Sequence, residues 1–86
     1  MPDSPRYDVL LLNDNDTPME FVVIVLERFF GIPYGVAVAH MYRIHNTGKA
    51  ICGTYSCEEA ENKVADVLAF VAEHKHPLQC ILRQED

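Results

Sequence analysis

Leu11–Phe21 reads LLNDNDTPMEF, and the fold turns on how this stretch divides. Leu11 and Leu12 end the run YDVLLL (7–12), which is short, aliphatic and stopped by polar residues, as a β-strand is. Asn13, Asp14, Asn15 and Asp16 are turn formers that bond nearby backbone N–H groups. TPME then carries three helix-start signals. Thr17 is a natural N-cap, Pro18 fits the first helical position where no N–H is needed, and Glu20 completes a capping box three residues after the cap. A helix is predicted from Thr17 to about Phe30, with Gly31 as its left-handed stop. Met19, Phe21, Val22, Ile24, Val25, Leu26 and Phe29 fall on more than one of its faces, so it is expected to be covered on two sides.

Working outward, GIPYG breaks the chain and a second helix is predicted over 36–46. Ala37, Met41 and Ile44 recur there at i, i+4 and i+7, and NTG closes the segment. KAICGTY (49–55) reads as a second strand. Ser56 and Glu59 form another capping box, and Ala60, Val64, Val67, Leu68 and Val71 give a third helix an apolar stripe down to about His74. Pro77 ends it. LQCILR (78–83) alternates Leu78, Cys80 and Leu82 against Gln79, Ile81 and Arg83 as a third strand. The order β-α-α-β-α-β, with helices segregated against a small, mainly antiparallel three-stranded sheet, is an α+β sandwich.

With 86 residues, 49% of them hydrophobic, the chain suits one domain, 7–86, behind a short N-terminal tail, 1–6. Thirteen acidic against seven basic side chains give a net charge of -6, which repels phosphate backbones and anionic lipid and argues against nucleic acid and membrane as partners. No stretch approaches the roughly 20 apolar residues of a membrane span, and the first residues lack a signal peptide's pattern, so a cytoplasmic protein is expected. Cys52, Cys57 and Cys80 are odd in number and are expected to be reduced thiols, Cys52 and Cys80 as small hydrophobes in strands.

Asn13–Asp16 admits three readings. The plainest is turn chemistry. A calcium loop fails on spacing: counted from Asp14, an EF-hand puts Pro18 at its third ligand, Met19 at its glycine and Val25 at its bidentate glutamate. The third is capture of a cation by dense acceptors beside an apolar wall. Met19 and Val22 share a face at the start of the first helix, and Met41, Ile44 and His45 group on the second. If the two faces meet, they form an apolar pocket rimmed by Asn13, Asp14 and His45. Met and Ile at helical spacing also serve as plain core, and His45 as an end charge near a helix C-terminus. Zinc is weakly supported, since the spacing of Cys52 and Cys57 has no second pair, and no motif places a thiol nucleophile beside a base.

Three stretches resemble the ClpS family of adaptor proteins: NDNDTPMEFVV.VL..FF, M..IHNTGKAICGTYS.EEAE.KV and HPL.C.L, a resemblance that runs from Tyr7 to Leu82. The resemblance implies a non-enzymatic adaptor, without cofactor or metal. Such an adaptor binds N-degron substrates by a free N-terminal Leu, Phe, Tyr or Trp and docks on the N-terminal domain of a Clp AAA+ unfoldase. By matching positions, Asn13, Asp14 and His45 are expected to hold the substrate's α-amino group. Met19, as a gate, with Val22, Met41, Ile44, Leu78 and Thr17 are expected to form the hydrophobic pocket. Glu58 and Lys63 match positions that face the unfoldase. The chain departs from the family at Asn15 and Asp16, and in having only Met1–Arg6 before the first strand where the family carries a mobile tail. A different resemblance, of strand-helix-helix order alone, is to the C-terminal domain of the ribosomal stalk protein, a docking scaffold without an amino-acid pocket.

The physics suits the first resemblance. An α-ammonium offers three donors and one charge, so it wants several acceptors and at least one carboxylate. A protonated His45 would repel it, so binding is expected to weaken in acid. An internal lysine also presents an ammonium; selecting a chain terminus requires side-chain pocket and amine rim in fixed relation. Packing close to the peptide backbone is expected to reject β-branched Ile and Val.

Overall fold

The computed structural model describes residues 5–84. It contains β1 (Arg6–Leu12), α1 (Met19–Phe30), α2 (Tyr34–Thr47), β2 (Lys49–Ser56), α3 (Cys57–Glu73) and β3 (Gln79–Gln84), in the predicted order. The strands form one antiparallel sheet, β2-β1-β3. The most aliphatic strand takes the centre, where it is paired on both edges and loses the most surface to its neighbours. Val9, Leu10 and Leu11 are all but fully buried.

Side-chain alternation along β1 sorts the sheet's two faces. Val9 and Leu11 enter one core cluster with Ala50 and Cys80 of the flanking strands and with Val25, Leu26, Ala37, Ile44, Val67 and Val71 of the three helices. Leu10 is buried outside that cluster, between its register partners Ile51 and Ile81. Asp8 shares its side of the sheet. Its buried carboxylate accepts a 2.8 Å bond from Thr54 Oγ1 on β2 and lies 3.7 Å from the Arg83 guanidinium on β3, so one charge is satisfied from both edges. The register shifts between Val9 and Leu10, leaving Cys52 as the extra residue of a bulge in β2.

α1 is covered on two sides, as its apolar pattern requires. Phe21 stacks on Phe70 of α3 at 5.3 Å between centroids, fixing one flank, while α2 packs on the other. Gly31 (φ 63°) and Gly48 (φ 95°) end α1 and α2 in the left-handed region that other residues enter at a cost.

Local structure departs from the sequence reading in instructive places. The Thr17 capping box does not form. Pro18 is extended (φ -60°, ψ 141°) and holds the N-cap position of α1 itself, and Thr17 spends its hydroxyl on the Asp14 carboxylate, 2.7 Å away. A charged acceptor outcompetes a helix N–H for that hydroxyl. At Ser56 no carboxylate intervenes from upstream: its hydroxyl accepts from Glu59 N (3.3 Å) and caps α3 as predicted. α2 starts two residues earlier than its apolar spacing suggested, because the Pro33 carbonyl accepts from Ala37 N and opens the helix within GIPYG. On α3, Ala60, Val67 and Val71 are buried but Leu68 is exposed, a narrower stripe than expected. Most of the expected N-terminal tail, Met1–Ser4, lies outside the described residues, and Arg6 already belongs to β1.

Candidate functional site

α1 and α2 run side by side so that the first turn of α1 lies against the last turns of α2. Between them opens a cavity of about 260 Å³. Met19 and Val22 form its α1 wall, and Met41 and Ile44 its α2 wall. Val22, Met41 and Ile44 are buried parts of the main core, so the wall is rigid. Met19 is 41% exposed at the mouth and free to adapt.

The rim is the polar loop. Asn13, Asp14, Asn15, Thr17 and Pro18 line one side of the mouth and His45 the other. Asp14–Thr17 is a turn closed by Thr17 N to Asp14 O at 3.2 Å. Thr17 Oγ1 donates to Asp14 Oδ2, which aims the carboxylate and leaves Oδ1 for a ligand. Asn13 Nδ2 donates to Asn15 Oδ1 at 3.3 Å, which orients the Asn13 amide and leaves its own oxygen as an acceptor. The loop is tied to α2 by Asn13 N to Gly48 O at 2.8 Å, immediately after the helix that carries His45. Two oriented oxygens, one of them charged, and an imidazole thus surround the entrance of an apolar hole of single-residue scale.

Of the sequence-derived pocket residues, Asn13, Asp14, Thr17, Met19, Val22, Met41, Ile44 and His45 converge here. Leu78 does not line the cavity. It is buried in the core cluster that also holds Val22, Met41 and Ile44. Asn15 and Pro18 line the mouth and were not singled out. Asn15 was read within the Asn13–Asp16 loop and as a departure from the family, and Pro18 as a helix-start residue.

Glu58 and Lys63 sit apart, on α3. Glu58 is exposed in the first turn. Lys63 Nζ donates at 2.7 Å to the Phe29 carbonyl, one of the orphan acceptors at the end of α1, and lies near the faces of Phe30 and Tyr55.

Burial pushes the Cys52 and Cys80 thiols up to about 12, so both stay protonated. Among the described residues no group of three or more His, Cys, Asp or Glu side chains is placed to hold a metal ion, and no helix is long and apolar enough to cross a membrane.

Residues 2–81 match the model of the family described as ATP-dependent Clp protease adaptor protein ClpS. The chain belongs to the ClpS family. The adaptor protein ClpS of a Ruegeria species is 55% identical over 82 residues, covering 95% of this chain and 73% of that protein. The ClpS of Roseobacter denitrificans is 54% identical over the same length and the same shares. Among solved structures, Agrobacterium tumefaciens ClpS2 bound to L-phenylalaninamide superposes with a TM-score of 0.93 at 30% identity, covering 96% of this chain and all of that one. As a ClpS adaptor the chain delivers N-degron substrates to a Clp AAA+ protease and is not itself an enzyme.

Proposed function

We propose that the cavity between α1 and α2 reads the first residue of an N-degron. The substrate's Leu, Phe, Tyr or Trp side chain enters the hole walled by Met19, Val22, Met41 and Ile44. Its α-ammonium bonds to Asn13, Asp14 and His45 at the rim. The observation that carries this reading is the pair of free, oriented oxygens of Asn13 and Asp14 at the mouth of a one-residue apolar cavity. The solved relative is bound to L-phenylalaninamide, which combines a free α-amino group with a benzyl side chain.

Magnitudes support a releasable complex. Filling the pocket with Phe or Leu is worth roughly 1.5–3 kcal/mol, and each charge-assisted hydrogen bond roughly 1.5–3. Set against an association cost of at least about 4 kcal/mol, this gives affinity around micromolar, tighter to the extent that the site is preformed. Such binding suits an adaptor that must hand its cargo on. Docking on the unfoldase's N-terminal domain in the cytoplasm is assigned to the α3 surface carrying Glu58 and Lys63, remote from the cavity.

Fluorescence anisotropy with labelled peptides that differ only at the start tests the reading. Leu-led and Phe-led peptides are expected to bind, while Ala-led, Ile-led and N-acetylated Phe peptides are not. Equal binding of acetylated and free Phe peptides would return the loop to plain turn chemistry and favour a scaffold without an amino-acid pocket.

A further inference from the structure

The three helices build their core against the Val9 and Leu11 side of the sheet. The opposite face carries a charge pattern unlike that of the molecule as a whole. Ile51 and Ile81, 44% and 41% exposed, flank the buried Leu10, so a short apolar row crosses its middle. Ile51 and Thr54 are three apart yet both pair with residues of this face, Leu10 and Asp8, because the Cys52 bulge restores the phase. Cations stand on either side of the row. Lys49 is exposed opposite Leu12. Beyond the row, Arg6 Nη2 donates to Thr54 O at 3.3 Å and Arg83 lies 3.7 Å from Asp8, so two guanidinium groups bracket the Asp8 position. Three of the chain's seven Lys and Arg residues are thus on this face, while Asp8 is its single carboxylate among the described strand residues. Asp8 is buried and already shared by Thr54 and Arg83, whereas the Arg83 side chain is half exposed and keeps donors for another partner.

We propose that this face docks an extended acidic segment of a partner protein, one in which an apolar side chain has a carboxylate two residues away on each side. Successive outward positions of a strand are about 6.7 Å apart, and an extended segment laid along β1 presents every second side chain at the same spacing. An apolar side chain seated over Leu10 enters the gap between Ile51 and Ile81, about 10 Å wide across two strand spacings. One carboxylate then meets Lys49 and the other falls between Arg6 and Arg83. Two half-exposed isoleucines are too small an apolar area to hold a neutral partner, so charge decides which partner stays. The same face of a second copy is a poor occupant, because it sets three cations against three. The overall charge of -6 keeps an acidic segment off the rest of the surface and leaves it this face. The α1–α2 cavity lies on the helical side of the sheet, so docking here leaves that cavity open.

The probe is the peptide N-acetyl-Glu-Ser-Phe-Ser-Glu, titrated at low salt into the isotope-labelled chain and followed by amide chemical shifts; its acetyl group keeps it out of an amine site. It is expected to shift Leu10, Ile51 and Ile81. It should bind about fivefold more tightly than N-acetyl-Ser-Glu-Phe-Glu-Ser, whose carboxylates point away from the phenyl side, and about tenfold more tightly than N-acetyl-Lys-Ser-Phe-Ser-Lys. Lys49→Glu is expected to weaken binding about fivefold. Lys75→Glu makes the same change of net charge on the turn after α3 and should leave affinity within about twofold. Equal affinity of the two acidic peptides, equal losses from Lys49→Glu and Lys75→Glu, or shifts confined to other surfaces would overturn the proposal. Binding of phosphatidylglycerol vesicles without binding of the peptide would make the occupant a lipid surface, and self-association abolished by Ile81→Thr would make it a second copy; either result overturns the acidic segment.

Discussion

Replacing Asp14 with asparagine isolates the charge at the proposed amine site with little change of shape. The amide oxygen introduced by Asp14→Asn can still accept from the Thr17 hydroxyl, so the bond now measured at 2.7 Å to Oδ2 and the turn it braces are retained. What changes is the partner of the substrate's ammonium. A hydrogen bond to a charged group contributes roughly 1.5–3 kcal/mol and a neutral one roughly 0.5–1.5. Asp14→Asn is therefore expected to cost about 1–2 kcal/mol of binding, a weakening of roughly 5- to 30-fold. The assay is anisotropy with a labelled Phe-led peptide, run beside its N-acetylated twin, with thermal unfolding as the control for fold. The substitution should act on the free-amine peptide alone, because the acetylated one has no charge for Asp14 to meet. Affinity within twofold of the native chain, at unchanged melting temperature, would refute the assignment of the charge to Asp14.

The substrate's own amine gives a pH signature: its pKa of about 8 in the free peptide is raised on binding, so affinity is full below that value and lost as pH rises. Binding should be about tenfold weaker at pH 9 than at pH 7; a flat alkaline limb contradicts the reading. Cys52 and Cys80, with pKa values pushed up to about 12, should resist a thiol reagent at pH 8 while exposed Cys57 reacts, and all three should react after denaturation. Since folding raises those two values, the protonated thiols favour neither state below about pH 9, and stability falls as pH climbs from there toward 12 and the unfolded chain alone ionises, which thermal unfolding in alkali measures. Lys63→Met keeps an apolar stem but leaves the Phe29 carbonyl without its donor, and should cost about 1–2 kcal/mol of stability. Glu58→Gln removes the charge of one first-turn carboxylate of α3 and should cost less than about 1 kcal/mol of stability, so a larger loss in a delivery assay reads docking.

The sequence carried the order of elements because each boundary had a chemical marker, such as Gly31, Gly48 and Ser56. It misplaced the start of α1 because Thr17 had two possible partners, a helix N–H and the Asp14 carboxylate, and only three-dimensional proximity decides between them. The cavity's walls were legible as helical spacing of Met19 with Val22 and of Met41 with Ile44. That the two faces meet is a packing fact, and so is the burial of Leu78 in the core without reaching the cavity. Glu20 was read as a helix-start residue; that it lines one groove with Glu27, Tyr34 and Tyr42 depends on how α1 and α2 lie together. Lys63 shows the same limit, since no local pattern predicts that its ammonium caps the end of a helix far behind it in the chain.

The backbone bond from Asn13 to the Gly48 carbonyl also bears on when the adaptor becomes competent. It closes a long loop of chain, and the acceptors on one side and His45 on the other come together only after β1, α1 and α2 have all assembled. Loop closure of this kind is cooperative with the fold and is lost in a partial opening. A chain with α3 formed but this contact open would still present Glu58 while having nothing with which to seize a free amine. On the reading proposed above, substrate affinity therefore reports that β1, α1 and α2 have assembled, and a chain in which they have not is without its amine site.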